Sequence, residues 1–235
     1  MGIIATPHYT SWEPLIRDIL RCAKCRLHLS RRNAVPGSGK VDAEILFIGE
    51  APGATEDEMG LPFVGAAGKL LDSVLEEIGI KRDEIYITNV VKCRPPNNRQ
   101  PERDEIDACS HYLESQILLI KPKIIVTLGS IAGEWVSKRM NLRWLGVTRM
   151  RGNIYRGRIL GLEVVFIPTY HPAAILRNRG NLDDLKRDLG TAVEMLSKLR
   201  EKGERGDTDS RRVKTLMDYI ARRNQKAIID PNRYG

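Results

Sequence analysis

No apolar run in the 235 residues approaches the roughly 18 needed for a membrane span, so a helical membrane protein is not expected. The opening MGIIATPHYTSWEP lacks a signal peptide's basic-then-apolar order, and a cytoplasmic location is the expectation. Neither GxGxxG nor GKS/GKT occurs, which leaves nucleotide binding without its usual sequence grounds. Cysteine is scarce at four residues, too few for a disulfide scaffold of this size. Glutamine occurs only three times in a charge-rich chain, which fits a heat-adapted protein.

What is present is ordinary globular material, 42% apolar and 29% charged, enough for a full hydrophobic core. The formal net charge is +8, and such an excess of Lys and Arg favours a polyanionic partner through counterion release. A merely basic surface would read the same way. The four cysteines fall as a CxxC, Cys22 and Cys25, and a spread pair, Cys93 and Cys109. In a cytosolic chain these are better metal ligands or redox groups than disulfides. Zinc and a [4Fe–4S] cluster both accept four thiolates. The spread second pair leans toward a cluster, and buried thiols with a chance CxxC remain the bland alternative. Either metal site would staple the N-terminal segment onto the main body.

Thr10 to Glu13 reads as a T-x-x-E capping box before the amphipathic PLIRDILRCAKC. Residues 30–43 form a basic, glycine-bearing loop. Strands are predicted at Ile45–Ile48, Ile85–Val91, Lys123–Leu128, 151–156 and 162–169, with a turn at Gly157–Gly161. Helices are predicted at Ala66–Ile78, 102–120, 130–140 and Leu182–Leu199. This alternation predicts an α/β fold, a three-layer α/β/α sandwich around a mostly parallel four-stranded sheet, over residues 1–201. Residues 202–212 read as a linker, followed by a short basic helix (213–224) and a tail. Residues 201–235 carry +3 of the net charge. Holding DNA, binding a protein partner and idle solvation are equally open to that tail.

In parallel sheets, ligands sit beyond the carboxyl ends of the strands. The segments there, Gly49–Gly53, Asn89–Arg99 and Tyr170–Arg177, are rich in Gly, Pro and polar residues and are predicted to converge on one pocket. Gly49–Glu50–Ala51–Pro52–Gly53 is a tight turn around a carboxylate. Phe63, between Pro62 and Gly65, is either a plug on the core or a stacking platform. Asn89 offers a donor and an acceptor on one amide, although a strand-end Asn more often serves the backbone. Arg94 and Arg99 flank a stiff PPNN loop suited to phosphates. His171 precedes Pro172 at the sheet edge, and Leu176 beside Arg177 has the make-up of a duplex-penetrating wedge.

Taken together, GEAPG(x)₂ED at 49–57, LPFVG(x)₂G at 61–68, NVVKCRPPNNR at 89–99, HPAAILR at 171–177 and the four cysteines strongly resemble family-4, iron–sulfur uracil-DNA glycosylases. The resemblance covers roughly residues 12–200, and Glu50 separates the chain from family-5 enzymes, whose first motif lacks the acid. It implies a DNA-repair hydrolase that flips uracil from single- or double-stranded DNA and leaves an abasic site, acting as a monomer. The family roles map onto Phe63 stacking on the base, Asn89 reading its Watson–Crick edge, and Gly49 and Ala51 backbone meeting it. Glu56 would exclude the thymine methyl, Glu50 and His171 would be catalytic, and Arg94, Arg99, Leu176 and Arg177 would hold DNA. Cys22, Cys25, Cys93 and Cys109 would hold [4Fe–4S]. Ala51 stands where family-1 enzymes carry their water-activating Asp, which puts a general-base role for Glu50 in doubt. A non-catalytic iron–sulfur or zinc nucleic-acid-binding protein is the rival reading.

Overall fold

The computed structural model describes residues 9–203; the predicted linker, basic helix and tail lie outside the described residues apart from its first two positions. The first helix, α1, spans Trp12–Leu20 with Ser11 as its N-cap, one residue later than the capping box predicts. Pro14 explains the shift. A cap at Thr10 would put the proline where the first intrahelical N–H is required, whereas a cap at Ser11 leaves it at a position that needs no donor.

Two short elements follow, β1 (Ser38–Gly39) and the first buried strand β2 (Ile45–Gly49). Helices α2 (Ala54–Met59) and α3 (Ala66–Glu77) lead to β3 (Tyr86–Asn89), and α4 (Arg103–Ile120) to β4 (Ile124–Leu128). Beyond them lie α5 (Ser130–Arg139), α6 (Val147–Met150) and the hairpin β5 (Tyr155–Ile159) and β6 (Leu162–Thr169). The chain closes with α7 (Pro172–Arg177) and α8 (Leu182–Gly203), the latter passing the predicted end at Leu199.

The sheet runs β1-β3-β2-β4-β6-β5. Its four central strands are parallel, as predicted, and antiparallel β1 and β5 extend it to six. The β5–β6 turn is the two-residue Leu160–Gly161, both at positive φ (52° and 83°), the geometry that matches the twist of a hairpin. Gly157, read from the sequence as the turn, lies inside β5 opposite Val164. The strand therefore starts at Tyr155 rather than 151.

Side chains alternate across the sheet. Leu46 and Ile48 face a core shared with Leu15, Ile19, Leu113, Ile117 and Trp135, from α1, α4 and α5. Ile45 and Phe47 face the opposite core, with Leu71 and Val74 of α3 and Leu185 and Leu189 of α8. These two cores make the three layers. They also leave the carboxyl ends of all four parallel strands at one edge.

Candidate active site

The three strand-end segments do converge. Glu50 to Gly53, Asn89 with Pro95, Asn98 and Arg99, and Tyr170, His171, Ala173, Ala174 and Arg177 line one pocket of about 470 Å³. Gly129 and Ser130, from the end of β4, complete the wall, a contribution the sequence motifs did not flag.

Gly49 ends β2 beside Asn89, which ends β3. A Cβ on Gly49 would lie 2.4 Å from Asn89 Oδ1 and 2.6 Å from Phe63 Cζ, so only glycine lets the amide and the ring approach across this backbone. Asn89 is 1% exposed, and among the described residues its Oδ1 has no hydrogen-bond partner. A buried acceptor left unpaired by the protein is costly unless a ligand supplies the donor.

Phe63 sits at φ 51°, a strained region for a bulky residue, and its loop is pinned from three sides. Glu56 accepts from the N–H groups of Gly53, Val64 and Gly65 at 3.1, 2.9 and 2.8 Å. Arg82 donates to the carbonyl of Pro62 at 2.5 Å, and Gly68 leaves room for the Phe63 carbonyl, 1.9 Å from where a Cβ would be. Glu56 Oε1 therefore serves the loop that carries the ring, while Oε2 closes the capping box of α2 at Gly53.

His171 stands across from Phe63, ring centroids 5.7 Å apart and planes at 30°. Its Nδ1 accepts from the Ala173 N–H at 3.1 Å, capping α7. A nitrogen that accepts carries no proton, so in the neutral ring the proton resides on Nε2. Burial pushes the imidazole pKa down to about 4, which keeps it neutral at pH 7. Behind it, Thr169 Oγ1 donates to buried Asp188 on α8, and Arg151 clamps the same carboxylate through Nε (2.9 Å) and Nη2 (2.6 Å). Neither Asp188 nor Arg151 belongs to a sequence motif. Glu50 lines the pocket, and burial raises its carboxyl above the usual range.

The predicted DNA contacts divide. Arg177 is exposed at the pocket wall and Leu176 is 39% exposed beside it. Arg94 lies outside the lining and donates to Asn98 Oδ1 at 2.8 Å. Arg99 grips Glu105 with two bonds, 2.9 and 2.6 Å, which hold that carboxyl below its usual range. Its fork is thus already occupied by a partner six residues on.

A second, smaller pocket is lined by Cys22, Cys25, Cys93 and Cys109 together, with Lys24, Arg31 and Lys92. Three donors point at the sulfurs: Arg31 Nη1 at Cys93 (2.9 Å), the Lys92 N–H at Cys109 (3.3 Å) and the Lys24 N–H at Cys22 (3.5 Å). Among the described residues, no group of three or more His, Cys, Asp and Glu is set to hold a single metal ion.

The profile of the uracil DNA glycosylase superfamily matches residues 36–196. A type-4 uracil-DNA glycosylase of Sulfurisphaera tokodaii is 53% identical over 79% of this chain and 84% of its own length. Those of Saccharolobus solfataricus and Archaeoglobus fulgidus are 46% and 43% identical, over 82% and 89% of this chain and 95% and 99% of their own. With the sheet-edge pocket, the four gathered cysteines and these likenesses in agreement, the chain belongs to the uracil DNA glycosylase superfamily, among its type-4 members.

Proposed function

We propose that the protein extrudes uracil from DNA into the pocket at the sheet edge and hydrolyses its N-glycosidic bond, freeing uracil and leaving an abasic site. The observation that carries this reading is the unpaired, buried Oδ1 of Asn89 beside the Phe63 ring and opposite the Nε2–H of His171. Uracil satisfies such a site. Its N3–H pairs with Oδ1, its O4 accepts from the amide NH₂, and its face stacks on Phe63. Cytosine offers an amino donor and a bare N3 at those places, a mismatch worth roughly 1–3 kcal/mol per contact. A purely nucleic-acid-binding role leaves this constellation without a use.

As the C1′–N1 bond breaks, its electron pair passes to the uracil ring and negative charge gathers on O2. The neutral His171 donates Nε2–H to that oxygen, a fixed dipole in place before the charge develops. The sugar is left cationic, and Glu50, half-buried in the same pocket, stabilises it and orients the water that adds to C1′. Glu56 acts by holding the Phe63 loop, which closes the base slot against a C5 methyl. Leu176 and Arg177 hold the opened DNA, with Arg94 at the loop beyond and Arg99 stiffening it through Glu105.

The small pocket fits a [4Fe–4S] cluster held by Cys22, Cys25, Cys93 and Cys109. Four thiols surround it and three N–H groups are aimed at sulfur. When bound, the cluster supplies a cross-link between the segment after α1, the loop after β3 and α4. In this reading the enzyme works as a cytoplasmic monomer on single- or double-stranded DNA, and residues 202–235 supply a contact to DNA or to a protein partner.

Labelled oligonucleotides carrying U·G, U·A, T·G or single-stranded U, incubated at moderate and high temperature and then treated with alkali, test the activity. Cleavage confined to uracil is expected. Protein with an iron-loaded cysteine site that cleaves none of them would overturn the reading.

A further inference from the structure

Lys92 lies between the two pockets, and no step above uses it. Its side chain is 1% exposed. The ammonium donates to Thr88 Oγ1 at 2.8 Å and to the carbonyl of Asn89 at 2.5 Å, both neutral acceptors. Its backbone N–H meanwhile donates to Cys109 Sγ at 3.3 Å, and its neighbour in sequence is Cys93. An amine buried with only neutral acceptors among the described residues is expensive to keep, and a methionine of similar length would fill the same space without that cost.

What the ammonium holds is informative. Asn89 is the last residue of β3, and among the described residues its Oδ1 has no partner to aim it. The position of its peptide therefore sets where the amide points, and the Lys92 ammonium grips that peptide's carbonyl. Thr88, the other acceptor, is itself anchored: its hydroxyl reaches the Pro36 carbonyl at 2.7 Å, where Gln116 Nε2 also donates at 2.7 Å. The grip thus bears against a fixed, fully buried network rather than a loose loop.

We propose that Lys92 is a positioning residue that couples loading of the four-cysteine site to base reading by Asn89. The inference rests on the assignment of Asn89 as the uracil reader. The Val35 N–H already holds the Lys92 carbonyl at 2.7 Å, and cluster ligation, by fixing Cys93 and Cys109, would tighten the same backbone from its other side. The side chain then reaches back three residues and fixes the Asn89 carbonyl. With the cysteine site empty, residues 90–92 keep their bonds to Gly49, Glu50 and Val35 but lose the tether at Cys93 and Cys109, and the hold on the amide slackens. Occupancy of one pocket is then read in the other as uracil selectivity, with general DNA affinity unaffected.

Lys92→Met tests this. Iron per chain and absorbance near 400 nm report loading. Affinity for a duplex carrying a 2′-fluoro-deoxyuridine, which resists hydrolysis, is compared with affinity for the same duplex carrying cytosine. The expected variant loads iron as the parent does and binds the cytosine duplex equally well. Its preference for the uracil analogue falls roughly tenfold, and kcat falls more than KM rises. Graded chelation of iron lowers that preference in the parent and lowers it no further in Lys92→Met.

An iron-loaded Lys92→Met with parental preference would overturn the proposal, as would chelation that lowers preference equally in both proteins. If Lys92→Met fails to load or fold, Thr88→Val decides. It removes one acceptor of the ammonium and leaves the cysteines untouched, so a reduced preference with iron intact supports the coupling and an unchanged one overturns it. A parent with no preference for the uracil analogue would overturn the base-reading assignment and the coupling with it.

Discussion

Thr169 Oγ1 donates a 2.6 Å hydrogen bond to Asp188 Oδ2, and the pair fixes the end of β6 two residues before His171. Asp188 is 1% exposed and is held in turn by Arg151, whose guanidinium lies 5.4 Å from the ring centre of Tyr170. A hydrogen bond to a charged group contributes about 1.5–3 kcal/mol. Thr169→Val keeps the shape and loses the bond, so kcat is expected to fall about tenfold with KM little changed. Thr169→Ser keeps the hydroxyl and is expected to retain most activity. Steady-state kinetics showing Ser worse than Val would assign Thr169 a packing role instead.

His171→Ala is expected to lower kcat by ~10²–10³, the usual cost of removing one donor to a developing oxyanion. Burial depresses the imidazole to about 4 from its ordinary 6.5. Above pH 4 the ring is neutral, so the kcat profile should show no inflection near 6.5. In the same interval the unfolded chain takes up a proton that the folded chain refuses, so stability falls as pH drops from 6.5 toward 4. An inflection near 6.5 that vanishes in His171→Ala would contradict the neutral-donor assignment.

Glu50 titrates in the opposite sense. Burial raises its carboxyl, so the folded protein protonates it above the ordinary carboxylate range and the charged form is lost early as pH falls. The acid limb of kcat is therefore expected to belong to Glu50 and to disappear in Glu50→Gln, along with most of the rate. A Gln variant with the parental rate would remove Glu50 from water orientation.

Gly49→Ala adds one methyl between Asn89 Oδ1 and the Phe63 ring. Displacing either by about 1 Å should cost on the order of 10² in kcat/KM. The melting temperature should fall as well, because the methyl overlaps two buried side chains even though the backbone of Gly49 itself suits alanine. Equal activity of parent and variant would mean that base and ring do not share this slot.

Cys109→Ser removes from α4 the sulfur that lies farthest in sequence from Cys22 among the four cysteines. The variant is expected to lose iron and brown colour, and its melting temperature to fall by several degrees as the staple between the two segments opens. Iron content unchanged from the parent would exclude Cys109 as a ligand.

The sheet and its site edge were legible because the central strands are short apolar runs ended by Gly49, Asn89 and Gly129. The edges were not. β1 is two residues with no apolar pattern, and Gly157 reads as a turn although Val164 pairs with it. Helix α2 is six residues, ATEDEM, too short and acidic to show a period. Within the site, residue types announced Asn89, Phe63 and His171, but the work of Glu56 did not show. Its partners are backbone N–H groups up to nine residues away, and backbone donors leave no trace in composition. Arg99 and Lys92 illustrate the same limit. A basic residue in a basic loop reads as a phosphate contact, and only the fold reveals Glu105 under one and the Asn89 carbonyl under the other.

The two antiparallel borders of the sheet have a bearing on how these molecules tolerate crowding. One border is only two residues long, and the other, YRGRI, turns Arg156 and Arg158 outward, the latter paired with Glu163 at 2.9 Å. Neither offers a long, flat, uncharged row of backbone groups on which a foreign strand could grow. Copies that meet edge to edge are thereby denied a template for fibrillar self-assembly.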